Sequence, residues 1–333
     1  MKPLYISFLL LLFSSTVFSQ GFEWSEEINE EFNSSVPELD ISKTRSYLPS
    51  SSSLAKYIPF VHNQGATGMC VAYSLANCRT IIYAKNKRFY KDDDIIANSF
   101  SPFFLYYQSK KSTDYECDQG LNPADAILFL HEKGIAKLVD VEYPDYWPFT
   151  SKQLCTYYPP SYSSDMSNAY KYKTDAPLIF NSGVSKSEKI LGLKDAISSG
   201  KPIFFGMDPF PNSLWKAWGK DFWEPDPYLG ASTSIGHAMT IIAYDDYKYG
   251  GSFQILNSYG TEWGNDGKIW VRYEDVIDYT SIFVIIGRKY EESTFGAPVS
   301  KNILEDGDDD SQLASPQFID LDLEPPLSEF IKE

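Results

Sequence analysis

The spacing of the apolar positions changes along the chain from helical to strand-like. From Cys70 onward, apolar residues recur every three or four positions, at Val71, Leu75, Cys78 and Ile82. This spacing predicts an amphipathic helix of about four turns. After residue 202 the apolar residues instead fall in short runs bounded by glycine, proline and polar residues, a pattern typical of strands.

Two further helices are predicted from the residues at their ends. Asn122 suits the N-cap, Pro123 the first turn and Gly134 the position after the last turn, so a helix is predicted over 123–133. A shorter helix is predicted over 187–199, where Gly200 ends it. Residues 141–185 are rich in tyrosine, proline and serine, which indicates a long connection between the two.

The strands come after the helices. Five are predicted, and the segment 247–251 with its paired glycines joins the second to the third as a hairpin. Helices followed by strands, without regular alternation, indicate an α+β fold with separate lobes. The predicted strands cover 203–207, 238–244, 253–256, 269–273 and 282–286.

The first nineteen residues have the features of an export signal. Lys2 precedes an apolar stretch over 4–13, and the small residues Val17 and Ser19 precede a cut at Gln20. The stretch is too short to favour the alternative, an uncleaved membrane anchor. We therefore expect a secreted or periplasmic protein without stable membrane insertion, in a compartment that permits disulfides. Residues 20–56, called the leader below, are polar and predict a surface strap.

Composition and charge exclude several classes of protein. A hydrophobic fraction of 43% is ample for a core, and the formal net charge of −16 argues against a nucleic-acid partner. Most of that charge lies in residues 291–333, which carry a net −10 and predict a disordered tail. A short docking segment within the tail stays an open alternative. The domain between leader and tail is predicted to span 57–290.

Only three histidines are present, so a mechanism that needs an imidazole has few candidates. His131 falls inside a predicted helix and is interpreted as an ordinary helical residue. His62 lies beside a Gln-Gly turn, where nothing else requires a base. His237 lies between Gly236 and an apolar strand, and the start of a rigid element is where a base is best positioned.

The four cysteines divide in the same way. A nucleophilic thiol must be a thiolate, which a helix N-terminus and a neighbouring imidazolium both favour. Cys70 alone stands at such a terminus, whereas Cys78 shares the apolar stripe of the same helix and is expected to be buried. Cys117 and Cys155 remain, and we expect a disulfide between them in an exported protein.

Four short motifs in a fixed order carry a resemblance to a known family. Together with the helix-then-strand order, they make the segment 57–288 resemble the papain-like cysteine peptidases. The resemblance implies a two-lobed fold, with an N-terminal helical lobe, an antiparallel β-barrel-like C-terminal lobe and the active site in the cleft between them. The motifs are Gln64-Gly65, Gly68-Met69-Cys70, Gly236-His237-Ala238 and Asn257-Ser258-Tyr259-Gly260-Thr261-Glu262-Trp263-Gly264.

The resemblance assigns a role to each of four polar residues. Cys70 would attack a peptide carbonyl, and His237 would pair with the thiolate and then protonate the leaving amine. Asn257 would orient the imidazole, and Gln64 would donate to the oxyanion together with the Cys70 amide. No cofactor or metal is implied, and the partner would be a peptide or protein substrate of a monomeric enzyme.

Other residues match the family more loosely. The segment that ends in Gln119 and Gly120 is similar to one that binds extended substrate, and Gly236 and Phe205 are expected beside the substrate as well. Trp263, Tyr259, Cys117 and Cys155 are expected to be structural.

The chain departs from the family pattern at several positions, so a second hypothesis about its function stays open. Thr67, Met69 and Val71 stand where the family commonly has Cys, Ser and Trp, and Tyr259 replaces a Trp that shields the Asn-His pair. The leader is also shorter than the family's long propeptides, so control by a folded propeptide is not expected. The alternative is a catalytically silent relative that binds peptides or a protein. A metal site and a serine hydrolase are poorly supported, since close ligand spacing and a Gly-x-Ser-x-Gly elbow are missing from the sequence.

Overall fold

The computed structural model describes residues 21–22, 25–45, 47–141, 155, 177–226, 228 and 236–287. The predicted export signal, the acidic tail and most of the connection over 141–185 lie outside these ranges. Among the helices in the described ranges, none is long and apolar enough to cross a membrane.

In the described part of the chain, five α-helices lie between residues 26 and 132. The longest is buried on nearly every side because it packs against two other helices and a central strand. It begins at Cys70 as predicted, and the predicted helix that follows Asn122 is confirmed, with the Asn122 side chain accepting from the Ala124 amide. The five are α1 (Glu26–Ser35), α2 (Cys70–Lys87), α3 (Asp92–Ala97), α4 (Pro102–Ser109) and α5 (Pro123–Glu132).

Three more α-helices are interspersed with the strands over the described residues from 177 onward. The first is the helix predicted over 187–199, and it begins with a capping box in which Ser185 and Glu188 satisfy each other's backbone amides. Gly200 follows it at a φ of +83°, a left-handed conformation that suits glycine. The helices are α6 (Lys186–Ser198), α7 (Asn212–Trp215) and α8 (Tyr273–Tyr279).

The strands form one sheet in the order β2-β8-β3-β5-β6-β7-β4, with β1 also paired to β5. The five predicted strands are confirmed as β3, β5, β6, β7 and β8, and the predicted hairpin joins β5 to β6. Pairing is antiparallel except between β4 and β7, which run parallel. The strands are β1 (Ser51–Ser53), β2 (Leu178–Ile179), β3 (Ile203–Met207), β4 (Phe222–Trp223), β5 (His237–Asp245), β6 (Ser252–Leu256), β7 (Lys268–Arg272) and β8 (Ile282–Ile285).

Two apolar cores lie on the two faces of the sheet. Phe204 of β3 packs into the core formed with α2, α4 and α5, whereas its neighbour Phe205 packs into the second core. Adjacent residues of a strand point to opposite faces, so one strand serves both cores. The predicted α+β architecture is confirmed, and the N-terminus of α2 meets the first residue of β5 where the helices and the sheet adjoin.

The leader is more ordered than its composition suggested. It contains α1, which Ser25 caps at its N-terminus. Phe32 of α1 and Val36, the residue that follows the helix, are buried in the helical core. Only Ile28 and Phe32 give α1 an apolar stripe, which is too short a signal for a periodicity to be seen. The leader also contributes β1 to the sheet.

Candidate active site

Cys70 is the first residue of α2. Met69 before it has non-helical backbone angles, and Cys70 itself is fully buried. The unpaired amides at a helix N-terminus carry partial positive charge, which favours a thiolate over a thiol. The local fold therefore gives this sulfur the position expected of a nucleophile.

His237 is held at the start of β5 by the sheet and by an amide side chain. Its backbone is in register with Met207 of β3, and its Nε2 lies 2.7 Å from Oδ1 of Asn257. The Ser258 amide donates to the same Oδ1 at 2.7 Å. An amide N–H can only donate, so this atom is the oxygen and Nε2 of His237 carries a hydrogen. Nδ1 is left facing the rest of the site.

The fold brings Cys70 and His237 together from 167 positions apart in the sequence. The backbone of Ala238, the residue after His237, hydrogen-bonds the Cys70 sulfur and lowers the pKa of that thiol. Cys70 is also close enough to Tyr259 to act on it electrostatically. The Cys70 sulfur and the backbone that follows His237 are therefore neighbours in the fold.

Gln64 is fixed beside them by three hydrogen bonds. Its Nε2 donates to the Thr67 carbonyl at 2.7 Å, and its Oε1 accepts from the Ser258 hydroxyl at 2.6 Å. Its backbone amide donates to the Ser258 carbonyl at 2.8 Å. A primary amide has two N–H donors, so one remains for a ligand while the side chain is held rigid.

The N-terminal end of the leader fills the cleft at the sulfur. The Cys70 thiol donates to the Gly21 carbonyl at 3.1 Å. Phe22 is buried and forms a parallel bridge with Leu121, the residue after Gly120. A Cβ on Gly21 would lie 1.9 Å from the Gly236 carbonyl oxygen, so only glycine fits this close approach.

Burial leaves both members of the Cys-His pair uncharged in this arrangement. Burial raises the pKa of Cys70 to about 12, and this effect exceeds the opposite effect of the backbone amides, which lower it. Burial lowers the pKa of His237 to about 4, and this effect exceeds that of the Asn257 hydrogen bond, which raises it. At neutral pH the structure therefore holds a thiol and a neutral imidazole, since desolvation penalises both charged forms.

The predicted substrate-binding residues differ in how close they lie to Phe22, the leader residue next to Gly21. Gly236 lies against Phe22, and a Cβ there would come within 2.9 Å of the Phe22 carbonyl oxygen. Gly120 has a φ of +77° and precedes the strand-like contact with Phe22, while Gln119 donates to the Thr113 carbonyl at 3.3 Å.

Phe205 lies in the second core, stacked at 6.3 Å on Phe283, and not beside Phe22. Its neighbour Gly206 is the residue of β3 against Phe22, where an added Cβ would come within 2.6 Å of the ring. Strand alternation could have pointed to Gly206, had the face of β3 that meets the cleft been known.

The residues expected to be structural surround the imidazole and the disulfide. The ring of Tyr259 is stacked on that of His237 at 4.6 Å, and Trp263 is fully buried behind it, with its Nε1 donating to the Leu214 carbonyl at 3.2 Å. The predicted disulfide between Cys117 and Cys155 is confirmed.

The remaining histidines and Cys78 have other surroundings. His62 packs edge-on against Phe60 at 4.7 Å and lies 5.4 Å from the ring of Tyr73. His131 lies in the last turn of α5, and Cys78 is buried in the helical core as expected.

One group in the described part of the chain brings potential metal ligands together, and it consists of Asp114, Cys117 and Cys155. Its two sulfurs are bonded to each other, so they offer no thiolate to an ion.

Comparison with known proteins shows the fold. No family model matches the chain, and no curated protein sequence does. Solved structures do match. Xylellain, a cysteine protease from Xylella fastidiosa, is 22% identical with a TM-score of 0.59, over 81% of this chain and 97% of that one. Procathepsin L 3 from Tenebrio molitor is 16% identical with a TM-score of 0.55, over 78% and 79%. Procathepsin B S9 from Trypanosoma congolense is 17% identical with a TM-score of 0.54, over 78% and 84%. The chain therefore has the papain-like fold that the motifs implied.

Proposed function

We propose that this papain-like protein is an exported cysteine peptidase that hydrolyses peptide bonds. One observation carries the proposal: at the N-terminus of a buried helix, the Cys70 sulfur lies against the backbone of the residue that follows an Asn-bound histidine. A binding protein needs no such constellation. The substrate would be a peptide or protein, and the confirmed disulfide agrees with the expected export.

The chemistry follows from the positions of the polar atoms. Nδ1 of His237 takes the thiol proton, and the Cys70 thiolate attacks the carbonyl carbon of the substrate. The oxyanion is stabilised by the free N–H of Gln64 and by the Cys70 amide. Nδ1–H then protonates the leaving amine, which breaks the C–N bond and leaves a thioester on Cys70. A water molecule then gives a proton to Nδ1 and attacks the thioester carbon. The C–S bond breaks, which releases the carboxylic acid and the Cys70 thiolate.

Asn257 serves this cycle by holding Nε2–H, which leaves Nδ1 as the nitrogen that exchanges a proton with Cys70. An imidazole held in one tautomer and one orientation loses little freedom when it transfers a proton.

The leader blocks this cycle in the resting chain. A productive carbonyl must point its oxygen toward Gln64 and present its carbon to the sulfur. The Gly21 oxygen instead accepts from the sulfur, so the segment is held as an occupant and not as a substrate. We take the leader to be an inhibitory segment. Two of the similar structures are procathepsins, which fits that role. The expectation that a short leader excludes such control is thereby set aside in this proposal.

The alternative function, a silent peptide-binding relative, is favoured by one observation. The Cys70 thiol is fully buried, and burial raises its pKa to about 12. Both features fit a cysteine that is permanently unreactive, and they also fit a reactive cysteine that the leader covers. The two functions differ in what happens when the leader leaves the cleft. An enzyme then has a reactive Cys70 next to His237, whereas a silent relative does not.

A labelling experiment with a peptide library tests the proposal. The mature chain carrying Gly21→Ala, whose added Cβ would overlap the Gly236 carbonyl and open the cleft, is incubated with a mixed peptide library and, separately, with a thiol-reactive epoxide, and products are read by mass spectrometry. Peptidase activity together with epoxide on Cys70, and loss of both in His237→Ala, is the expected result. Cys78 is the internal control, because it is a buried cysteine of the same helix away from the histidine. Absence of cleavage, with labelling indifferent to His237→Ala, would identify the silent relative.

Replacing Gln64 should slow the chemical step without weakening substrate binding. In Gln64→Ala we expect kcat to fall by about 100-fold or more with KM nearly unchanged, since an oxyanion donor acts mainly in the transition state. Gln64→Glu is the matched variant, because it keeps an oxygen for the Ser258 hydroxyl and removes the N–H donors. Steady-state kinetics measure both constants, and an unchanged kcat in the two variants would remove Gln64 from this role.

A further inference from the structure

Tyr259 makes a contact for which the proposed mechanism has no use. Its hydroxyl lies 3.2 Å from Nδ1 of His237, and its ring is stacked on the imidazole with an angle of 24° between the planes. Nδ1 is the atom that must take the proton of Cys70. The family commonly has a tryptophan at this position, and an indole carries no hydroxyl.

The direction of this hydrogen bond follows from the rest of the site. Nε2 of His237 carries a hydrogen because the atom that it meets is the Asn257 oxygen. The second nitrogen of a neutral imidazole is then an acceptor, so the Tyr259 hydroxyl donates to Nδ1. The thiol does not compete for that lone pair here, because it donates to the Gly21 carbonyl.

We propose that Tyr259 is a positioning residue whose hydroxyl donates to Nδ1 of His237 and stabilises the neutral imidazole relative to the imidazolium. In the imidazolium, Nδ1 carries a hydrogen and donates it to the thiolate. It then has no lone pair to accept the Tyr259 hydroxyl, so this hydrogen bond is lost. The hydroxyl therefore opposes formation of the Cys70-His237 ion pair. The inference rests on the proposed function, since it concerns the same pair.

Within the described residues, the groups in contact with the imidazole come from two segments. Asn257 and Tyr259 lie in the segment after β6, and Phe210 lies in the segment after β3, with ring centroids 4.7 Å apart. The Cys70 sulfur of α2 contacts the backbone of Ala238, the next residue. Asp208 follows Met207, the strand partner of His237, and burial raises the pKa of its carboxyl. Burial lowers the pKa of His237 and Asn257 raises it. Burial also raises the pKa of Tyr259, which keeps its hydroxyl protonated as a donor.

The test is the pH profile of kcat/KM for peptide hydrolysis in Tyr259→Phe. This variant keeps the stacked ring and removes the hydroxyl. The mature chain is used, and each profile is normalised to its own maximum so that slow access past the leader cancels. The basic limb reports loss of the imidazolium that protonates the leaving amine, and we expect that limb to move up by about half to one pH unit. Tyr249→Phe is the matched control, since its hydroxyl binds Asp221 at the surface.

Each outcome decides the inference. A basic limb that moves up in Tyr259→Phe and not in Tyr249→Phe supports it. A limb that stays in place, or moves down, overturns it while peptidase activity in the wild type leaves the proposed function standing. Absence of both hydrolysis and Cys70 alkylation in a chain opened by Gly21→Ala overturns the proposed function and this inference together.

Discussion

Replacing Gly21 with alanine should raise peptidase activity and the alkylation rate of Cys70 by about tenfold, because it removes the leader from the cleft. The added Cβ would lie 1.9 Å from the Gly236 carbonyl oxygen and 3.1 Å from the Cys70 sulfur. Backbone cannot yield to that overlap as a side chain can, and overpacking of this kind costs about 1–3 kcal/mol. A change of that size shifts the equilibrium between covered and open cleft roughly tenfold or more.

Gly183→Ala is the control for this prediction. Gly183 also lacks a left-handed φ, and a Cβ there would make only an ordinary contact at 3.6 Å with the Asn181 side chain. Initial rates of peptide hydrolysis and of iodoacetamide labelling are measured at neutral pH for the mature wild type and for both variants. Equal rates in all three chains would show that the leader does not restrain the enzyme. A lower rate in Gly21→Ala would show that the segment assists it.

Replacing Cys70 with serine should abolish hydrolysis, even in a chain whose leader has been displaced. A hydroxyl has a far higher pKa than a thiol, so His237 cannot hold it as the anion, and loss of the nucleophile typically costs at least about 10⁴-fold in kcat. The exchange of sulfur for oxygen changes little volume at the helix N-terminus. Thermal unfolding should therefore show a folded protein.

Cys78→Ala is the matched variant for the nucleophile. Cys78 is the other free cysteine of α2, and it is buried in the helical core near Thr240. Hydrolysis of the same peptide by this variant should proceed at the wild-type rate. Activity that persists in Cys70→Ser, or that disappears equally in Cys78→Ala, would remove Cys70 from the role of nucleophile.

The elements that the sequence predicted well are those with strong local signals. α5 is marked by the Asn122 cap, Pro123 and Gly134, and all three lie where the signals placed them. The aromatic run of α4 was missed because it has no clear period, although Ser101 caps it and Pro102 opens it. α1 was missed because its stability comes from Phe32 and Val36 packing on distant helices. Local patterns do not report such contacts.

The candidate site shows the same division. The scarcity of histidine and the helix N-terminus at Cys70 marked His237 and Cys70 as candidates without coordinates. The Gly21 contact and the Tyr259 hydroxyl on Nδ1 were invisible, because each joins segments far apart in sequence whose approach depends on the packing of α2 and β5.

By itself, then, the sequence determined the helices and strands that carry strong local signals, and it proposed four polar residues as one site, since periodicity, caps and motif order are local features of the chain. The tertiary structure alone decided that the leader covers the sulfur, that Gly206 and not Phe205 faces the cleft, and that a tyrosine hydroxyl meets the imidazole. The physical reason is that these contacts depend on which faces of distant helices and strands pack together, and one amino-acid sequence does not specify that packing directly.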